Sequence, residues 1–233
     1  MSYTIENYHL GESVKFNLFE NCYISDFLRK GNIWEPHLHK IFEEYITNNS
    51  TVVEAGCHIG THSIKLSKLA KKLYCFEPLK VSNALLRENL KLNNCINTTV
   101  YDEGVSSKIT TTKFSWVSLG NPGAAGLENN PMGGFENTIS NDHDYDVNLT
   151  TIDSLNLPEL HFIKLDVEGY ETKAIEGSLY SIKKHKPIIA LECWEDHQGN
   201  ASVEHTTTQF KFLLNLGYKL SRISNCDWLF LPV

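Results

Sequence analysis

The chain lacks a long apolar run, a clustered basic stretch and any Cys-x-x-Cys pair, and each absence removes a class of protein. No segment approaches the ~18 consecutive apolar residues that a membrane-spanning helix needs. The start, MSYTIENYHLGESVKF, has neither the charged nor the apolar region of a secretion signal, so a cytoplasmic protein with no membrane partner is expected. Lys and Arg number 21 against 28 Asp and Glu, a net charge of −7. That balance disfavours a bulk electrostatic hold on polynucleotides, and no nucleic-acid partner is expected. The six cysteines (22, 57, 75, 95, 193 and 226) are far apart and several sit in apolar runs. They read as reduced thiols filling a core. His143, His185 and His197 lack metal-ligand spacing, and no internal repeat is present.

What is there is an ordinary globular composition, 41% apolar and 21% charged over 233 residues, suited to one domain with an added segment. Residues 1–50 read as an N-terminal helical extension, with helix over Ile24–Ile46 broken near Gly31 and Pro36. From residue 51 to 233 strand and helix patterns alternate. Strands are expected at 51–55, 72–77, 98–102, 160–167, 187–193, 218–223 and 227–231. Helices are expected over 62–71 (Ile64, Leu66, Leu69), 79–93 (Val81, Leu85 and Leu92 on the apolar face), after 167 (Ile175, Leu179, Ile182) and over 210–216, closed by Gly217. Such alternation predicts a mostly parallel seven-stranded sheet covered by helices on both faces. The stretch 114–146, rich in Gly, Asn and Pro, predicts a long loop at the carboxyl ends of the strands, where open α/β sheets bind ligands.

The sharpest signal is Glu54-Ala-Gly56-Cys57-His58-Ile-Gly60 at the first strand-to-helix junction. Gly56 and Gly60 allow a tight turn lying against a ligand, and Glu54 is expected to place a carboxylate in the same crevice. Glu77 ends the second strand 17 positions after Gly60, near the ~20 expected for an acid that binds ribose hydroxyls. A dinucleotide turn wants G-x-G-x-x-G; here the middle glycine is absent and a carboxylate would repel phosphate. S-adenosylmethionine carries a sulfonium and an ammonium and no phosphate, and suits this turn better.

These residues resemble the FkbM-type methyltransferases. The likeness includes VVEAGCHIGTHSIKLSKLAKKLYCFEP (52–78), ALLRENLKLNN (84–94), LTTIDSL (149–155), FIKLDVEGYE (162–171), PIIALE (187–192) and Gly217-Tyr218. It covers about residues 34–233, and D-V-E-G-x-E after an apolar strand is its most specific piece. The resemblance implies a class I methyltransferase (Rossmann-like) fold, S-adenosyl-L-methionine as cofactor, and most often O-methylation of a sugar or natural-product hydroxyl. Cys57-His58 stand where the family has small residues. Carried over by position, Glu54, Gly56, Cys57, His58 and Gly60 shape the methionine end. Glu77 with Pro78 holds the ribose, and Glu103 and Gly104 border the adenine. His62 either lines the pocket or is a local hydrogen-bonder. Trp34-Glu35 either closes the site or merely starts a helix.

Asp166 is the first choice for the group that takes the acceptor proton or orients the acceptor, with Glu168 and Glu192 in reserve. His197 is an alternative base. Glu168 could instead cap a helix. The three acids are compatible with Mg²⁺, but no metal is the favoured reading. The expected partner is a small-molecule or glycan acceptor. Alternatives are a non-sugar, protein or nucleic-acid acceptor, a non-catalytic binding module, and nicotinamide-dependent oxidoreduction. A base N-methylase would show an N-P-P-Y-type turn where Asp166-Val-Glu-Gly stands.

Overall fold

In the computed structural model, residues 3–9, 11–118, 121–128, 145–195 and 200–233 are described. The chain opens with a hairpin, β1 (Tyr3–His9) against β2 (Glu12–Phe16), turning at Gly11 with φ +85°. The N-terminal extension, expected to be helical with helix over Ile24–Ile46, therefore also holds a strand pair: Ile5, Val14 and Phe16 point inward by the period of two that a half-buried strand imposes. Two helices follow, α1 (Tyr23–Arg29) and α2 (Pro36–Tyr45), broken where Gly31 and Pro36 predict. Hairpin and helices share one core with a face of the main sheet, where Phe42 meets Phe162 edge to face at 5.9 Å.

All seven expected strands form, in one mixed sheet. They are β3 (Thr51–Ala55), β4 (Lys72–Phe76), β5 (Thr98–Tyr101), β11 (Phe162–Leu165), β12 (Ile188–Glu192), β13 (Tyr218–Arg222) and β14 (Asp227–Pro232), in the order β13-β14-β12-β11-β3-β4-β5. The five from β12 to β5 run parallel; β14 and β13 add antiparallel at the edge. Central strands buried on both faces read as apolar runs. Glu54 and Lys164 break that rule, and register places them side by side on β3 and β11.

Helices α3 (Ser63–Leu69) and α4 (Lys80–Leu92) connect the first three sheet strands. The buried face of α4 is Ser82, Asn83, Leu86, Asn89 and Leu90, whereas Val81 and Leu92 are exposed. The expected face is therefore wrong, and the reason is polar. Asn83 donates to the carbonyls of Glu77 and Tyr101, and Asn89 to those of Ile59 and Asn17, so two amides bury themselves by satisfying backbone. The helix expected after residue 167 is two, α5 (Glu171–Glu176) and α6 (Leu179–His185). Helix α7 (Val203–Gln209) precedes α8 (Lys211–Asn215).

The stretch expected as a loop is partly strand. A three-stranded sheet of β6 (Gly104–Val105), β10 (Val147–Thr150) and β7 (Thr110–Thr112) forms beside a second hairpin, β8 (Phe114–Ser118) with β9 (Asn121–Leu127). Phe114, Val117 and Leu127 pack on Leu79, Leu149 and Tyr170, the apolar contacts that hold this hairpin over the strand ends. Residues 129–144, with His143, and residues 196–199, with His197, lie outside the described residues. Among the described residues no helix is long and apolar enough to cross a membrane.

Candidate active site

The glycine turn after β3 is built from left-handed backbone: Gly56 at φ +80°, His58 at +48° and Gly60 at +90°. Gly56 is wedged between strands, its N–H donating to Phe76 O at 3.0 Å while Asp166 N–H donates to Ala55 O at 3.1 Å. Glu77 fastens the turn to the next strand end. One carboxyl oxygen accepts from His58 N–H at 2.7 Å and the other from Leu79 N–H at 2.9 Å. Opposite stands the acid loop. Glu168 (φ +52°) and Gly169 (φ +94°) reverse the chain, and Glu171 closes the bend by accepting from Val167 and Gly169 N–H at 2.9 and 3.3 Å. The D-V-E-G-x-E pattern is thus a loop with its own internal clasp.

Two adjoining cavities meet at Gly56, Glu77, Asp166 and Glu168. The first is apolar, with walls of Phe76, Pro78, Gly104 and Val105 from the sheet and Phe114 and Leu127 from the hairpin. The second, of about 240 Å³, is acidic and includes Glu35, His58, His62, Lys164 and Glu192, with Trp34 and Trp194.

Lysine at position 164 is the residue sequence reading missed. Its side chain is 4% exposed and its Nζ lies 2.9 Å from Asp166 Oδ2. Burial alone would strip its proton, but Asp166, Glu54 and Glu35 outweigh that and hold its pKa above the ordinary lysine value. Burial likewise pushes Asp166 up, and the lysine charge overrides it, leaving Asp166 below the usual range and anionic. The Asp166 side chain keeps 30% of its surface open, so the charge faces the cavity. A period-two reading of FIKLDV, with Lys164 and Asp166 on one face, was the available signal.

Glu35 sits at the N-cap of α2 with φ +44°, a strained conformation for a non-glycine residue. Its carboxyl meets His62 Nε2 at 2.8 Å. Burial raises Glu35 to about 8 and lowers His62 to about 3, so the pair holds its bridging proton on the carboxyl side at neutral pH. Burial, then the charge of Asp166, also raises Glu168 and Glu192 well above the usual carboxylate range.

The structure thus brings Gly56, His58, His62, Glu77, Pro78, Gly104, Asp166, Glu168 and Glu192 to the cavities. It does not bring Glu54, Cys57, Gly60 or Glu103. Glu54, 1% exposed, points behind the turn, accepting from Ser63 Oγ at 2.6 Å beside Cys75. There it braces the turn and stands beside Lys164 in register. Cys57 is buried with its thiol on Glu54 O, and Gly60 makes room for Leu86, whose Cδ1 would lie 2.9 Å from an added Cβ. Glu103 stays at the surface turn while Gly104 enters β6 and the cavity wall. Trp34 and Glu35 both line the acidic cavity, and Glu35 is the N-cap of α2.

The residues fit an adenosyl-type cofactor. His58, 8% exposed, faces the acidic cavity with both ring nitrogens lacking a protein partner, and the apolar walls beside Glu77 suit a purine.

These protonation states set a pH dependence. Glu35 (about 8), Glu77 and Glu171 (each about 7), all raised chiefly by burial from 4.5, contribute stability present below pH 4.5 and lost as pH rises through 7–8. His58 (about 4) and His62 (about 3), lowered by burial from 6.5, act oppositely, losing stability as pH falls below 6.5. The acids outnumber the histidines, so the ligand-free protein is expected to melt at a higher temperature at pH 5.5 than at pH 8. A melting temperature that rises over that interval refutes these proton assignments.

Strand order with a glycine turn and acids at successive strand ends defines a class I methyltransferase fold. The chain belongs to the FkbM methyltransferase family: the model described as Methyltransferase FkbM domain matches residues 54–220. Among solved structures it is similar to a methyltransferase FkbM from Methylobacillus flagellatus (TM-score 0.55, 15% identity, 89% of this chain and 52% of that one). It is also similar to Trm5b from Pyrococcus abyssi (0.52, 15%, 98% and 54%) and a putative rRNA-methylase from Clostridium thermocellum (0.51, 12%, 84% and 92%). The chain spans about half the length of the Methylobacillus and Pyrococcus structures, and at these identities the likeness speaks for the fold alone. No curated protein matches the chain. Family membership implies S-adenosylmethionine as methyl donor.

Proposed function

We propose that this protein methylates a hydroxyl of a small acceptor, with a sugar or glycan hydroxyl the reading its family resemblance favours. The observation that carries the proposal is the seam at Gly56, Glu77 and Asp166, where an apolar cavity for a nucleoside opens into an acidic one. S-adenosylmethionine, when bound, supplies a methyl group on a sulfonium that passes to the acceptor oxygen as the C–S bond breaks and the C–O bond forms.

The chain's own residues do the rest. Phe76, Pro78 and Val105 enclose the base, and Glu77 keeps acceptor lone pairs for ribose hydroxyls beyond its two amide bonds. Gly56 and His58 border the methionine end. Asp166, kept anionic by Lys164, is a poor base but a strong hydrogen-bond acceptor and a counter-charge for a cation. Its task is to orient the hydroxyl. Glu192 and Glu168, with raised proton affinity, are the groups suited to receive the hydroxyl proton once ionised, a contribution typically of ~10²–10⁴-fold. Holding the acceptor close supplies more, ~7–11 kcal/mol by effective molarity.

Two measurements test this. Labelled S-adenosylmethionine incubated with a panel of glycans and hydroxylated small molecules should give a product heavier by one CH₂, together with S-adenosylhomocysteine. Binding without S-adenosylhomocysteine release would mark a binding module instead. Glu77→Ala and Glu77→Gln should each raise the S-adenosylmethionine dissociation constant about tenfold, roughly 1.4 kcal/mol. Unchanged binding in both would remove Glu77 from the ribose.

A further inference from the structure

The acidic cavity gathers more carboxyl groups than the proposed chemistry uses. Among its described lining residues are five carboxyl groups, Glu35, Glu77, Asp166, Glu168 and Glu192, against one cation, Lys164, already bonded to Asp166. S-adenosylmethionine brings a sulfonium and an ammonium but also a carboxylate, so acids remain in excess after it binds. Buried like charges are costly and are relieved by proton uptake or by a cation.

Spacing separates a metal from a larger cation. Among the described residues one trio of candidate ligands brings its atoms within 4.8 Å of one another, Glu54, Cys57 and Cys75. It lies behind the turn. No three of the cavity's described acids come that close, whereas Mg²⁺ gathers several oxygens at about 2.0–2.1 Å. The acids surround a volume of about 240 Å³ instead.

The walls suit an organic cation. Trp34 stands edge to face with Tyr23 at 6.0 Å and, with Trp194, faces the same space; aromatic faces attract cations within ~6 Å. Independently, His58 is more than nine-tenths buried, lines this cavity, and has no protein partner on either ring nitrogen. A neutral imidazole offers one lone pair that only a donor can fill. Acids, aromatic faces and a waiting lone pair together describe a receptor for positively charged nitrogen.

We infer that the acceptor half of the cavity selects a small hydroxylated molecule that also carries a cationic nitrogen, with Glu192 and Glu168 recognising the charge. This rests on the methyltransferase reading, since it assumes that the cofactor takes the turn side of the seam.

The test uses the whole protein saturated with S-adenosylhomocysteine, whose own ammonium then fills its place. Two matched pairs are titrated by calorimetry: choline against its uncharged near-isostere 3,3-dimethylbutan-1-ol, and glucosamine against glucose. The cationic member of each pair should bind about tenfold more tightly or better, and Glu192→Gln should narrow that gap. Equal or tighter binding of the neutral members overturns the inference, as does no binding of any probe to the homocysteine-loaded protein. Should Glu192→Gln fail to fold, the wild-type pairs decide alone. Failure of S-adenosylhomocysteine and S-adenosylmethionine themselves to bind would overturn the methyltransferase reading instead.

Discussion

Replacing Gly56 with alanine is expected to abolish cofactor binding and to cost several kcal/mol of stability. A Cβ at this position would lie 1.6 Å from the Asp166 carbonyl oxygen and 2.6 Å from its carbon, with φ at +80°. Both obstacles are backbone, and neither can rotate away. The turn is also held from both sides, by the bond from Gly56 N–H to Phe76 O and by that from Asp166 N–H to Ala55 O. The left-handed conformation alone costs a side-chain-bearing residue ~1–2 kcal/mol, and overpacking typically adds ~1–3 kcal/mol or more. Against a total of ~5–15 kcal/mol, the variant is marginal or unfolded. Gly217→Ala is the control, because φ is +86° there but nothing lies within 4 Å of an added Cβ. It should lose only the conformational part. Urea unfolding of both variants, with calorimetric titration of S-adenosylmethionine, separates strain from collision. A Gly56→Ala protein no less stable than Gly217→Ala and binding normally would show that the two strand ends do not meet as described.

The same closeness explains what could and could not be read from the residues in order. Strands such as Thr51–Ala55 and Phe162–Leu165 were legible because burial on both faces leaves an apolar run. Gly56, Glu77 and Asp166 were legible because each ends such a run, and parallel strands in one sheet end at one edge. Contacts that cross from one element to another were not. The Glu54 carboxylate sits one residue before the turn, which says nothing about which side of the sheet it faces. Register with Lys164, on the adjacent strand but far away in sequence, decides that it points inward. The buried face of α4 escaped because Asn83 and Asn89 look polar in a window of sequence and are core residues only once the carbonyls they satisfy are in place. The β8–β9 hairpin escaped because β9, with its proline and two glycines, has little side-chain pattern, and it is held instead by a few contacts to Tyr170 and Leu149. The opening hairpin was missed although Val14 and Phe16 alternate with polar neighbours. It reaches the site through Tyr8, whose hydroxyl donates to Thr61 O, and through Phe19, stacked on His58 at 5.7 Å.

Lys164→Met should cost about 3–5 kcal/mol near neutral pH, the usual penalty for removing one partner of a buried ion pair, and should reverse the way one acid responds to pH. In the wild type Asp166 is held below its ordinary pKa, so its contribution is present above that ordinary value and is lost as pH falls through the folded pKa. Without the lysine, burial, the largest influence on this carboxyl, pushes Asp166 upward. Its contribution is then greatest in acid and is lost as pH rises. The deficit of the variant relative to wild type should therefore shrink between pH 8 and pH 5. The charge argument also predicts a ligand-specific effect. With Asp166 neutral, the counter-charge for a sulfonium is gone, so the dissociation constant for S-adenosylmethionine should rise about tenfold, some 1.4 kcal/mol. That for S-adenosylhomocysteine, a neutral thioether, should move much less. Lys164→Met/Asp166→Asn should recover stability, because it removes both members of the pair, yet keep the weakened preference for the sulfonium. Equal losses for the two ligands in the single variant would mean that Lys164 only props the strand. A deficit that grows toward pH 5 would mean that Asp166 is not the acid it holds charged.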